Sequence, residues 1–100
     1  MNKKRRNELS IVITDLNLVD NKDDLEMCIY DLERLRDEEQ VYFDNMPENL
    51  QYSQRGQDAE ESVDLLNEAI DQLNDVLDDE EIDECLIADA ISIIEDVIYM

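Results

Sequence analysis

One hundred residues, 43% of them hydrophobic, make one domain (1–100) with a modest core and no room for a deep enclosed active site. Eight basic against 29 acidic side chains, a net charge of −21, argue against direct binding to nucleic acid or an anionic membrane and point to basic partners or to solubility. One Gly, one Pro and no His favour long helices, and they remove His-based triads, the usual zinc sites and the Glu-x-x-His ligands of di-iron bundles.

The chain opens on Lys3-Lys4-Arg5-Arg6, followed by Asn7 and Glu8 rather than by a signal-peptide core, and no apolar run approaches the about eighteen residues of a membrane helix. A cytoplasmic protein is expected. Cations at a helix start oppose the helix dipole, so Met1–Lys4 reads as a frayed basic tail, with a clamp onto the acidic body as the alternative.

A first helical stripe runs Leu9, Val12, Ile13, Leu16, Val19, and a second runs Leu25, Cys28, Ile29, Leu32, Leu35, Tyr42. At about 100° per residue the two point about 140° apart, so one straight helix cannot bury both. Asp20–Asp24 is the expected break, with Asp20 or Asn21 capping the next helix. These acids do not form an EF-hand loop, because Leu25 stands where Gly is required and Asp31 where a bidentate Glu is. Ile11-Val12-Ile13-Thr14 is the weak point of the helical reading, since all four are β-branched.

Residues 44–56 hold the only Pro and the only Gly, Pro47 and Gly56, and 46–53 read as the corner of a helical hairpin, with Ser53 capping the helix that follows. Tyr42, Phe43, Leu50 and Tyr52 are expected to pack beneath it, with Arg55 in reach of Asp37, Glu38 or Glu39. Tyr42, Leu50, Tyr52 and Arg55 also make this tip a candidate partner-binding site.

From Ala59 the positions Ala59, Val63, Leu66, Ile70, Leu73, Leu77, Glu80, Glu84, Ile87, Ile91, Ile94 and Ile98 alternate steps of four and three, a heptad seam along a helix. The repeat is visible as text in Ser62-Val63-Asp64, Ala69-Ile70-Asp71, Val76-Leu77-Asp78 and Ala90-Ile91-Ser92. Sixteen carboxylates lie between Asp58 and Asp96 and no cation follows Arg55, so no i,i+4 ion pair can form there and packing must hold the helix. Glu80 and Glu84 mark either a bend open to water or a metal held between helices. The break at Asp20–Asp24 and the acids Asp78–Glu81 lie about thirty residues either side of Gln51, so they face each other across an antiparallel hairpin. The expected fold is all-α: an antiparallel helical hairpin with heptad-patterned, coiled-coil-like arms, either straight or bent into a four-helix bundle of about 5–19, 23–45, 54–78 and 82–99, with a homodimer through the seam as a further option.

Asp37-Glu38-Glu39-Gln40, Tyr42-Phe43-Asp44-Asn45-Met46-Pro47-Glu48-Asn49-Leu50-Gln51, Ser53 and Arg55-Gly56, followed by heptads of the Ala-Ile-Asp kind, resemble a group of short uncharacterised proteins of bacteriophage and prophage genomes. The resemblance is strongest over 37–77 and extends to a basic patch like Arg5-Arg6 and a Glu-Leu pair like Glu8-Leu9. This chain departs from the group in being longer between Leu16 and Leu32 and in the seam interruption at Glu80 and Glu84. The resemblance implies a phage-linked accessory protein in a bacterial host cell and supplies no catalytic residue.

Cys28 and Cys85 lack metal-ligand spacing and read as buried reduced thiols, with one disulfide between them as the alternative. No phosphate loop or catalytic constellation stands out, so no enzyme, cofactor or metal is expected. Two functions remain. In one, the chain is a DNA-mimic inhibitor of a basic, nucleic-acid-binding or defence protein, with Asp64, Glu68, Asp71, Asp75, Asp78 and Asp79 as binding residues. If the helix were unbroken from Asp58 to Asp96, its sixteen acids would fall every ~3.6 Å, close to the ~3.4 Å of one DNA strand. In the other, it is a structural or adaptor protein that dimerises or takes a partner helix through its seam.

Overall fold

Four short polar residues set four helix starts. Asn2, Asn21, Ser53 and Asp83 each sit in extended backbone and accept hydrogen bonds through a side-chain oxygen, from the N–H of Arg5, of Asp24, of Gly56, and of both Cys85 and Leu86. The computed structural model, which describes all 100 residues, accordingly contains α1 (Lys3–Asn17), α2 (Lys22–Asp44), α4 (Gln54–Asp78) and α5 (Glu84–Ile98), with a single turn α3 (Glu48–Gln51) opened by Pro47. The chain is all-α. Even the β-branched run Ile11–Thr14 is helical, and the Thr14 hydroxyl donates back to the Ser10 carbonyl at 3.2 Å.

The break between the two N-terminal stripes falls at Leu18–Asn21, where Leu18 and Val19 close α1 on Asp15 and Leu16 and Asn21 opens α2. The frayed tail expected at residues 1–4 is instead a capped helix start reaching back to Lys3, and Met1 packs against the core. Antiparallel packing resolves the dipole objection: the cations at the start of α1 lie beside the acids of the last turns of α2, where Arg5 approaches Glu39 at 3.3 Å and Glu38 at 4.0 Å.

At the corner the chain closes tightly. Gln51 Nε2 donates to the carbonyls of Phe43 (3.2 Å) and Met46 (3.4 Å), tying α3 to the end of α2. Gly56 is required here by space alone, since its φ is not positive and a Cβ would lie 2.3 Å from the Gln51 carbonyl oxygen.

The heptad blocks of α4 form three adjacent columns with different fates. Val63, Ile70 and, half-buried, Leu77 make the expected seam together with Ala59, Leu66 and Leu73. The residue before each, Ser62, Ala69 and Val76, is also buried, so α4 is covered on two sides, by α2 and by α5. The residue after each, Asp64, Asp71 and Asp78, is exposed. Small side chains at 62 and 69 let a neighbour approach closely, and the buried Ser62 hydroxyl donates to the Asp58 carbonyl at 2.8 Å.

The same pattern explains why the arm folds back. The block at 83–85 is Asp83-Glu84-Cys85, with acids at both positions that are buried elsewhere, so a helix continued through it would bury charge. The helix ends at Asp78 instead, and Asp83 caps α5 with its carboxylate at the positive end of the dipole. Of the two forms expected for the arms, straight or bent, the bent one is found: residues 57–99 lie in two helices, and the bundle follows the expected segments 5–19, 23–45, 54–78 and 82–99 to within a few residues. An unbroken arm of that length would span about 64 Å, whereas the whole molecule is 47 Å long. Glu80 and Glu84 stand exposed at this turn. Within α5 the buried line shifts to Ile87, Ala90, Ile94 and Val97, leaving the seam residues Ile91 and Ile98 half-buried. The two breaks meet at one end of the bundle, where the Lys22 ammonium donates to the Asp79 carbonyl and so places a cation at the C-terminus of α4.

Leu66 and Ile70 are 0% and 3% exposed. Replacing either with Ala is expected to cost about 2–4 kcal/mol by leaving a cavity, while Asp64→Ala or Asp71→Ala is neutral or stabilising because each removes a repelling charge. Chemical denaturation of the four variants measures this, and equal losses would overturn the column assignment. Gly56→Ala should destabilise despite the ~1 kcal/mol that Ala normally gains over Gly in a helix. The same measurement tests the close approach at Gln51.

Candidate protein-binding surfaces

Glu61, Asp64, Glu68, Asp71, Asp75 and Asp78 recur along α4 at steps of three and four, and all are exposed, so they form one stripe along the outer side of the helix. Consecutive carboxylates are about 5 Å apart along the axis. Asp79 continues the line into the turn and is exposed as well. The molecule's ion pairs all lie among α1 and α2 side chains, so no carboxylate of this stripe is ion-paired, and the Lys22 ammonium meets only the stripe's far end, on the Asp79 carbonyl.

Three of the eight cations are committed elsewhere. Arg34 of α2 donates to Glu8 of α1 at 3.2 Å and to Glu38 at 2.7 Å, and these hydrogen bonds, Glu38 first, hold its guanidinium above the ordinary value. Arg36 pairs with Asp37 at 3.0 Å and reaches across to the Asn67 amide oxygen at 3.1 Å. Arg5, 11% exposed, donates from Nε to the Oε2 atom of Glu39, which is fully buried, and its guanidinium lies 5.5 Å over the ring of Tyr42. The other Glu39 oxygen has no partner. Stepping three and four along the second stripe leads from Leu32 and Leu35 to Glu39, a charged residue in a core position that apolar patterning passed over. The missed signal was that the stripe jumps seven residues from Leu35 to Tyr42 while Arg5 lies one turn before Leu9.

Arg5 also occupies the acids expected for Arg55, which makes no ion pair with Asp37, Glu38 or Glu39. The corner cluster is corrected in the same way: Tyr42 and Phe43 are half-buried, whereas Leu50 and Tyr52 are 43% and 75% exposed rather than packed beneath the turn. Tyr42, Leu50 and Arg55 do line one shallow groove with Asn45, Met46 and Pro47, and Tyr52 stands outside it. From Arg55 to Asp78 is about 35 Å along α4, so the corner and the far end of the stripe are separate surfaces.

The two thiols differ. Cys28 is buried and its pKa is pushed up to about 11, first by burial and then by the negative charges of Asp15, Asp31 and Asp24, whereas Cys85 is exposed, contrary to expectation. The structure gathers no cluster of three or more His, Cys, Asp or Glu side chains in metal-binding geometry, and no helix is long and apolar enough to cross a membrane.

No family model matches the chain, and no curated protein or solved structure does.

Two measurements check these environments. Glu39→Ala removes the closest partner of Arg5 and leaves it only Glu38 at 4.0 Å, so it should cost about 1.5–3 kcal/mol, while the double replacement Arg5→Met with Glu39→Met should be neutral or stabilising. Thermal melts of both variants decide it. At pH 8 a thiol reagent should modify Cys85 alone in the native state and both cysteines in denaturant, because thiolate is the reactive form and Cys28 holds its proton.

Proposed function

We propose that this chain is a small acidic, phage-type accessory protein that acts by protein–protein interaction, in place of nucleic acid, on a basic nucleic-acid-binding or defence protein of a bacterial host, and inhibits it. The observation that carries this reading is the stripe Glu61, Asp64, Glu68, Asp71, Asp75 and Asp78: carboxylates on one face of one helix, exposed and unpaired. An exposed acid needed only for solubility gains from a nearby Lys or Arg as readily as any other, yet none follows Arg55. A row at ~5 Å spacing is sparser than the ~3.4 Å per charge of a DNA strand, but both present a line of like charge to a basic groove. The ~3.6 Å density does not support the reading, because it assumed an unbroken helix and the two helices run in opposite directions. The resemblance of the corner motif to phage proteins supports the bacterial, cytoplasmic setting. In this reading there is no reaction to catalyse, no cofactor and no direct contact with nucleic acid or membrane.

The adaptor alternative loses its original site. The α4 seam is buried within the chain, so a second copy or a partner helix could reach it only by opening the bundle.

Capture from bacterial lysate on the immobilised chain at about 50 mM and about 500 mM salt tests the proposal. The expected result is a basic partner held at low salt, released at high salt and displaced by duplex DNA, with capture lost when Asp64, Glu68, Asp71 and Asp75 become Asn or Gln. Capture that survives both high salt and that replacement would rule out mimicry at this face. The same charge argument expects the free protein's melting temperature to rise as salt increases from about 0.05 to 0.5 M, as screening relieves self-repulsion.

A further inference from the structure

The acidic stripe leaves the opposite side of the bundle unexplained. Ile11 (61%), Met27 (68%), Tyr30 (62%) and Val41 (56%) stand in solvent on α1 and α2, and Leu18 (70%) directly follows α1, whereas the other exposed large apolar side chains lie at the corner, Leu50 and Tyr52, and after α5, Tyr99 and Met100. The first five are not scattered. Met27, Tyr30 and Val41 fall on one line of α2 that steps three and four through Arg34 and Asp37, and Ile11 and Leu18 are seven residues apart on one side of α1. The Arg34–Glu8 contact joins the pair, and Leu18 and Met27 line the same hollow between them. Farther along α2, Tyr30, Val41 and Tyr42 line a groove of ≈ 670 Å³, walled by Glu33, Asp37 and Glu38 with Arg5 and Arg34.

A surface of this kind on a monomer normally marks an interaction site, and its chemistry restricts the occupant. A second copy is disfavoured by a net charge of −21 on each chain. Within the patch the cations are already neutralised: Arg34 is shared by Glu8 and Glu38, Arg5 by Glu38 and Glu39, and Arg36 by Asp37. The acids Asp15, Asp24 and Asp31 around the Met27 hollow, and Glu33 beside Tyr30, have no ion pair. The surface therefore offers apolar anchors within an acidic rim, which is the complement of a helix with one apolar and one basic face.

We propose that the α1–α2 face is a docking groove for a cationic amphipathic helix, a second surface distinct from the α4 stripe. Met27 to Val41 spans about 21 Å, so about fourteen residues of the partner, four turns, are engaged. The partner's apolar side chains near i, i+3 or i+4, and i+14 seat against Met27, Tyr30 and Val41 and meet Ile11 and Leu18 across the groove, while its Lys and Arg side chains face Asp15, Asp24, Asp31 and Glu33. Seating a partner here requires no movement of the buried seam.

The test uses two synthetic peptides of about sixteen residues made of Leu and Lys, one patterned to form an amphipathic helix and one with the same residues shuffled to remove the apolar face. Titration of the isotope-labelled full chain by NMR is expected to show the patterned peptide shifting amides of α1 and α2 and binding at least about tenfold tighter than the shuffled one. Met27→Ser, Tyr30→Ser and Val41→Ser together, all at exposed positions, should abolish that preference while circular dichroism shows the fold retained. Replacement of Asp64, Glu68, Asp71 and Asp75 by Asn or Gln should leave it intact, which separates this groove from the stripe. Equal binding of both peptides would mean attraction to bulk charge only and would overturn the proposal. Shifts confined to α4 and α5, or binding unchanged within twofold in the triple Ser variant, would overturn it as well.

Discussion

Carboxylates without counterions are the constraint around which this molecule is built. Beyond Arg55 no side chain carries positive charge, so α4 and α5 cannot be held by ion pairs along their own surfaces and gain only repulsion from their acids. Apolar burial must exceed that repulsion, and α4 achieves it by covering two adjacent columns rather than one. Ala59, Val63, Leu66, Ile70 and Leu73 form one line and Ser62, Ala69 and Val76 the other, and all eight are buried. The third column of the same repeat is left to the acids. A single seven-residue block thus supplies close packing, seam and charge at once, and where the block changes to Asp83-Glu84-Cys85 the helix can no longer continue.

The charge is unevenly divided as a result. Residues 1–45 contain seven basic and twelve acidic side chains, residues 46–100 one and seventeen. In the first part, pairs such as Arg34 with Glu8 and Glu38 tie α1 to α2, and the buried Arg5–Glu39 pair fixes the register of the two helices beneath Tyr42. A buried pair of this kind contributes little net stability but makes wrong registers costly, because any slip leaves Glu39 uncompensated. The second part is free of such pairs and keeps its carboxylates in water. One half of the molecule therefore locks itself through charge while the other presents charge outward, and the two proposed surfaces follow that division.

Much of the fold was legible in periodicity and capping. The caps at Asn21 and Ser53 follow from short polar residues placed before apolar stripes, and the meeting of the two breaks follows from their equal distance from Gln51, seen in the Lys22–Asp79 contact. What escaped was whatever depends on a neighbour. A heptad seam does not reveal whether one helix or two cover it, so Ser62, Ala69 and Val76 were visible as a repeat but not as a second buried line. Glu39 looks like any surface acid until Arg5 is placed against it, and Arg5 looks like part of a loose tail until Asn2 caps the helix. Arg55 failed to pair with Glu39 for the same reason, because competition between two cations for one acid is settled by geometry alone. The exposed line Met27, Tyr30 and Val41 was hidden by the stronger stripe through Leu25, Leu32 and Leu35 on the same helix.

Native-state hydrogen exchange tests most directly whether α4, covered on two sides, holds the molecule together. The expected result is that the slowest amides lie between Ser62 and Val76, exchanging only with global unfolding, while α1 and α5 open at lower free energy. Protection of α4 equal to or weaker than that of α1 and α5 would contradict this account, for the fold would then rest on something other than the double column of α4.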